Sequence, residues 1–132
     1  MKQKTIKQLK TELDKKFSLY IRQKNAVDGI VQCITCQKHY RWQDVDCGHF
    51  LSRRYLSIRW SEINTAPQCK NCNVFNQGRQ YEMGQVLEKR YGKAEIELLL
   101  IKKNNVCKMD KFKYLMLIQN YTEKLKKIRT IK

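Results

Sequence analysis

Four cysteines stand in two pairs of one internal spacing, Cys33-Ile34-Thr35-Cys36 and Cys69-Lys70-Asn71-Cys72. Paired Cys-x-x-Cys knuckles can supply four soft thiolates to one tetrahedral ion, and zinc is the common occupant of such a set. Redox or free thiols are the competing reading, which the second pair at the same spacing disfavours. The 32 residues between Cys36 and Cys69 exceed what a compact zinc ribbon needs, so something is inserted between the knuckles. Cys47 and Cys107 are left over and read as packed, free thiols.

The insertion carries Asp46-Cys47-Gly48-His49-Phe50 and then Asn64, and Asn73 directly follows the second knuckle. Hydrolysis of a phosphodiester needs an activated water, neutralised phosphate charge and a stabilised leaving oxygen. His49 suits the general base, because an imidazole titrates close to working pH. Asp46 and Asn73 offer the hard oxygen ligands that Mg²⁺ or Mn²⁺ prefers. Asn64 can fix a loop and orient His49 through a backbone or ring hydrogen bond. Each has a plainer reading: His49 as a structural histidine or spare zinc ligand, Asn73 as a helix cap, Asn64 as a turn residue. His39 reads as surface.

These residues need elements to hold them. Residues 5–24 carry Ile6, Leu9, Leu13, Phe17 and Tyr20 at spacings of three and four, which predicts an amphipathic helix ended by the Asp28-Gly29 turn. Residues 40–42 and 45–50 read as two short strands of a hairpin. Helical periodicity returns after Gly78, over 81–91 with Gly92 as C-cap, over 93–104, and in a third helix capped by Asp110. That last helix would carry Leu115, Ile118, Tyr121, Leu125 and Ile128 on one face. The terminal helices either pack on the central module or form a homodimeric coiled coil. Their seams are shorter than three to four clean heptads, which favours packing within the chain.

The 132 residues make one domain, with 28 Lys plus Arg against 12 Asp plus Glu and a formal charge of +16. Such a charge speaks of partners rather than fold, and a polyphosphate backbone is the partner it fits. No apolar run approaches the ~18–20 residues of a membrane span, and the basic N-terminus lacks the apolar core of a secretory signal. The expectation is a cytoplasmic protein with reduced thiols and no membrane partner.

Taken together, His49, Asn64 and Asn73 resemble the HNH nuclease motif, and the two flanking knuckles resemble the zinc arrangement of phage endonuclease VII. A fuller match covers most of the chain. Cys33 and Cys36, the run Asp46 to Arg53, Arg59, Asn64, and Gln68 to Asn73 with Gly78 resemble the NinG/Rap family of lambdoid phages. Tyr91-Gly92 followed by an acidic, leucine-rich helix fits too. The resemblance implies an α+β, mainly helical fold. Its central zinc-stabilised ββα-metal module, residues 29–79, would lie between an N-terminal helix, 1–28, and C-terminal helices, 80–132, in one compact unit. It also implies a metal-dependent endonuclease acting on branched DNA such as Holliday junctions. The alternative is a non-catalytic, zinc-dependent, structure-specific DNA-binding protein.

Two positions depart from the motif. Many HNH enzymes place the metal-binding acid directly before the histidine, where this chain has Gly48. Asp46 shares the strand face of Gly48 but is displaced by two residues, roughly 6–7 Å. A bulge at Gly48 would close that gap, and Asp44 is the next candidate along the same face. Gln77 stands where some of these enzymes carry a second histidine. Arg53, Arg54 and Arg59, with Tyr55 and Trp60 beside them, are the candidate phosphate contacts, since a guanidinium donates two parallel hydrogen bonds. No segment reads as a dedicated base-reading helix.

Overall fold

The computed structural model describes residues 3–131. Met1, Lys2 and Lys132, which belong to the first and third segments expected above, lie outside the described residues.

Thr5 starts the first element. Its hydroxyl accepts the Gln8 N–H at 3.1 Å while the Gln8 side-chain oxygen accepts the Thr5 N–H at 2.8 Å. This reciprocal box satisfies two donors that a helix start leaves unpaired. Helix α1 runs from it over Ile6–Gln23 and buries Leu9, Leu13, Phe17 and Ile21. Asp28 and Gly29 then take φ values of 51° and 78°. Two successive positive φ values suit a two-residue hairpin turn, for which Asp-Gly is well adapted, and Val27 is brought opposite Ile30.

Strand β1 (Ile30–Gln32) pairs antiparallel with β2 (His39–Arg41), enclosing the first knuckle. Strand β3 (Val45–His49) pairs antiparallel with β4 (Thr65–Cys69). The hairpin expected between 40–42 and 45–50 does not form. Trp42–Asp44 is a tight 3-10 turn, closed by Arg41 Nε donating to Asp44 Oδ2 at 2.9 Å. None of its residues adopts the positive φ of a two-residue hairpin turn, and it leads the chain away from β2 rather than back along it. Strand β2 takes its partner from across the first knuckle instead, and β3 takes its partner from across residues 50–64.

Residues 50–64 leave the end of β3 and return to β4 through a short helix, α2 (Leu56–Arg59), and a 3-10 turn at Glu62–Asn64. After β4 the chain makes a five-residue π-turn, Asn71–Phe75, where an α-helix was expected. Gln77, Gly78 and Arg79 all adopt positive φ (55°, 83° and 44°) and stop the turn from continuing. Gln77 is therefore not one helical turn beyond Asn73. Helices α3 (Gln80–Tyr91) and α4 (Lys93–Lys102) follow, separated by Gly92 at φ 94°. Asp110 Oδ1 accepts the Lys113 N–H at 2.9 Å and caps α5 (Lys111–Ile131).

Two cores flank the β3–β4 pair. On one side Ile34, Leu51, Ile58 and Ala66 pack with Met83 and Leu87 of α3 and Ile96 and Leu99 of α4. On the other, α1 and α5 lie side by side and parallel. Leu9 shares a cleft with Lys111 and Leu115, and the Phe17 and Tyr20 rings meet Tyr121 at 5.1 and 5.4 Å. The buried stripe of α5 begins at Tyr114, while Leu115 is 53 % exposed. Either residue satisfies the period. Trp60, whose ring stands edge-on to Tyr114 at 5.6 Å, decides between them. Helices of all kinds make up about 59 % of this mixed α/β fold, and no described helix is long and apolar enough to cross a membrane.

Candidate metal centre and adjoining polar site

The two knuckles meet. Cys33 and Cys36 follow β1, Cys69 ends β4, and Cys72 lies in the π-turn, with the four Sγ atoms all within 4.8 Å of one another. The Cys36 and Cys69 sulfurs are 3.8 Å apart, which matches the ~3.8 Å edge of a tetrahedron with Zn–S bonds of ~2.3 Å. Backbone N–H groups point at these sulfurs: Cys69 N–H to Cys33 Sγ at 3.3 Å and Cys72 N–H to Cys69 Sγ at 3.5 Å. Burial opposes the Cys33 thiolate, yet hydrogen bonds from Cys69, Thr35 and Cys36 hold it down to about 6, whereas burial pushes Cys69 up to about 11. The donor set fits a structural metal such as zinc. Cys47 stands apart, packed against the α1–α5 core, its thiol pushed up to about 12 by burial. Cys107 lies in a cleft with Met109 and Leu117, and His39 is exposed on β2.

Gly48 has a packing reason to be glycine. A Cβ there would sit 2.4 Å from Oε1 and 2.8 Å from Cβ of Gln68, a fully buried side chain. The Gln68 amide donates to Gly78 O at 2.8 Å and Thr35 Oγ1 at 3.2 Å, tying β4 to the first knuckle and to the segment that follows the second. No bulge forms at Gly48, because the register from Val45↔Cys69 to His49↔Thr65 is unbroken.

Asp46, next to Gly48 on the same face of β3, meets Asn73. The Asn73 side-chain amide donates to Asp46 Oδ2 at 3.0 Å, and Lys70 Nζ to Oδ1 at 2.8 Å. Burial alone would raise the Asp46 carboxyl; the Lys70 and Asn73 bonds and the Arg22 charge outweigh it and keep it below the usual carboxylate range. Asp44 is instead bound to Arg41 in the exposed 3-10 turn.

His49 lies at the far end of β3. Its Nε2 is 2.9 Å from Arg59 O, and since a carbonyl only accepts, Nε2 carries the proton and Nδ1 is the basic nitrogen. Burial, assisted by the charges of Arg53 and Arg59, holds the imidazole below its usual 6.5, although the Arg59 and Cys47 carbonyls favour the protonated ring. Asn64 makes no hydrogen bond to the ring. Fully buried, it closes the 50–64 loop: its Oδ1 accepts the Leu51 N–H at 2.8 Å and its amide donates to Leu51 O and Ile58 O at 3.1 and 3.3 Å. That loop delivers the Arg59 carbonyl to His49.

Two acidic hubs carry no signal in the sequence. Asp14 of α1 accepts from Arg59 Nε at 3.0 Å, Arg53 Nη2 at 3.1 Å and Trp60 Nε1 at 2.9 Å. Glu62 receives Lys24, Lys124 and the Tyr121 hydroxyl, joining α1, the loop and α5. The Arg59 guanidinium is thus engaged by Asp14, its side chain 12 % exposed. Arg53, at 56 %, and Arg54, stacked 4.9 Å over Tyr55, reach solvent. Asp14→Asn is expected to lower stability by about 2 kcal/mol, because the Arg59 charge would stay mostly buried without its partner. Burial raises the Asp14 carboxyl, but Arg59, Trp60 and Arg53 bring it below 3.8. Its stabilisation is thus present above pH 3.8 and lost as the pH falls through that depressed value. Denaturant melts of both proteins between pH 2 and 7 check this: a gap between them that does not shrink in acid would contradict it.

No curated protein and no solved structure matches the chain. Residues 1–130 match the family described as Bacteriophage Lambda NinG protein. That span takes in both knuckles, β3 with Asp46 and His49, and the helices packed on either side. The chain belongs to the NinG family of lambda-phage recombination-related proteins.

Proposed function

We propose that this protein is a zinc-stabilised, HNH-type endonuclease that hydrolyses phosphodiesters in branched recombination DNA, Holliday junctions included, and works in the host cytoplasm. The observation that carries the reading is the 3.0 Å meeting of Asp46 with Asn73, on the strand that ends in a histidine with a committed Nε2 and a basic Nδ1. Asp46 and Asn73 would hold Mg²⁺ or Mn²⁺, which when bound neutralises charge on the phosphate and the leaving oxygen. His49 takes the proton of the attacking water at Nδ1. Asn64 keeps the loop that fixes the ring. Arg53 and Arg54 bind flanking phosphates, and the helical lysines add affinity that does not depend on base sequence. A symmetric cut of two strands would require two copies of the chain.

A second reading, a non-catalytic zinc-dependent DNA-binding protein, is favoured by one observation. Asp46 and His49 lie three positions apart on an unbulged strand, about 10 Å along it and on opposite faces. Cleavage of a labelled four-way junction and its matched linear duplex, with Mg²⁺, with Mn²⁺ and with neither, separates the two. Cutting that needs the ion and favours the junction is expected. Equal cutting of both substrates removes the branch preference, and tight junction binding without cutting under any ion favours the second reading.

A further inference from the structure

Three apolar side chains stand in water next to the candidate site. Val74 is 59 % and Phe75 78 % exposed in the π-turn that carries Asn73, and Tyr81, in the first turn of α3, is 75 % exposed. A single exposed apolar residue is ordinary, but several around one rigid protrusion indicate a contact surface. The turn is firmly held. Asn71 O accepts both the Asn76 N–H at 3.0 Å and the Asn76 side-chain amide at 2.9 Å. The Gly78 N–H donates to Cys72 O at 2.9 Å, and Gly78 O accepts the buried Gln68 amide. Three successive positive φ values, two of them at non-glycine residues, persist only under such dense bonding. Phe75 is therefore held out into solvent by a scaffold rooted in the cysteine cluster. Lys70 and Arg79 of the same segment, ion-paired with Asp46 and Glu82, still reach solvent at 63 % and 35 % of their side chains, in a chain of net charge +16.

We propose that Phe75, with Val74 beside it in the same turn, is a wedge that stacks on unstacked bases at a DNA branch point. This deepens the nuclease reading and rests on it. Basic side chains bind the phosphates of any duplex equally. An aromatic face gains a partner only where base faces are uncovered, which a continuous duplex denies and a branch offers. Discrimination then comes from the cost of exposing those faces, without a base-reading helix.

The test is equilibrium binding, without added Mg²⁺ or Mn²⁺, of the full chain to a four-way junction carrying 2-aminopurine at the branch and to the matched linear duplex. Phe75→Ala is expected to weaken junction binding roughly tenfold, leave duplex binding unchanged, and abolish the 2-aminopurine fluorescence change. Phe75→Trp is expected to restore both junction signals. An unchanged Tm establishes that the exposed position leaves the fold alone. Weakening that is equal on both substrates, or absent on both, overturns the wedge, and junction cleavage by the wild type then leaves the nuclease reading standing. Unchanged DNA binding with a lower mass in solution for Phe75→Ala assigns the patch to a contact between copies and also overturns it. A wild-type chain that binds neither DNA overturns the wedge and the nuclease reading together.

Discussion

Cys69→Ser is expected to abolish zinc binding at the four-cysteine cluster and the cooperative unfolding of residues 29–79. Cys69 is buried at the junction of β4 and the π-turn, accepts the Cys72 N–H, and lies 3.8 Å from the Cys36 sulfur. Serine offers a shorter, harder ligand that is poorly matched to zinc. Structural zinc contributes apparent binding free energies of ~10–16 kcal/mol in small domains, comparable with a total domain stability of ~5–15 kcal/mol. The strands around the cluster are only three to five residues long, too short to hold the knuckles together by pairing alone. The wild type should carry about one zinc per chain, from one four-thiolate set. The variant should carry almost none and lose its near-ultraviolet circular dichroism, while α1 and α5 retain part of the helical signal through their own core. Equal metal content and an equal Tm in the two proteins would remove the structural-metal reading.

His49→Ala should leave junction binding intact and reduce cleavage by ~10²–10⁴-fold, the usual contribution of a positioned general base. Binding rests on exposed basic side chains such as Arg53 and Arg54, which the substitution does not touch. The pH profile provides a second readout. A base works unprotonated, and burial holds His49 below its usual value, so the rate should be at its plateau at neutral pH. It should fall on an acid limb lying below pH 6.5. The opposite sign, activity rising as the pH drops through that range, would make His49 an acid or no participant. Undiminished cleavage in the variant rejects the base outright. Loss of binding together with a lowered Tm would mark His49 as a structural tie between β3 and Arg59.

The local code of the sequence was strong where spacing or capping acts over a few residues. The matched cysteine pairs announced one four-sulfur cluster, and it forms. Leu9, Leu13 and Phe17 at helical spacing announced α1, and Asp110 announced the start of α5, because periodicity and caps are properties of neighbouring residues. Asp46 and Asn73, chosen for their oxygen atoms, come to rest side by side. Packing between distant segments decided the remainder. Trp60 selected Tyr114 over Leu115 for the buried face of α5, and the 3-10 turn at Trp42–Asp44 sent β3 to β4 rather than β2. Gln68, lying across Gly48, accounts for a glycine where an acid was sought, with no bulge. Asp14, an unremarked acid on a lysine-rich helix, reaches Arg53 and Arg59 nearly 40 positions or more away. Such partnerships carry no period and no motif, because a charge finds its counter-ion through the fold that brings the two together, and only the tertiary structure determines which of several arginines remains available to a phosphate.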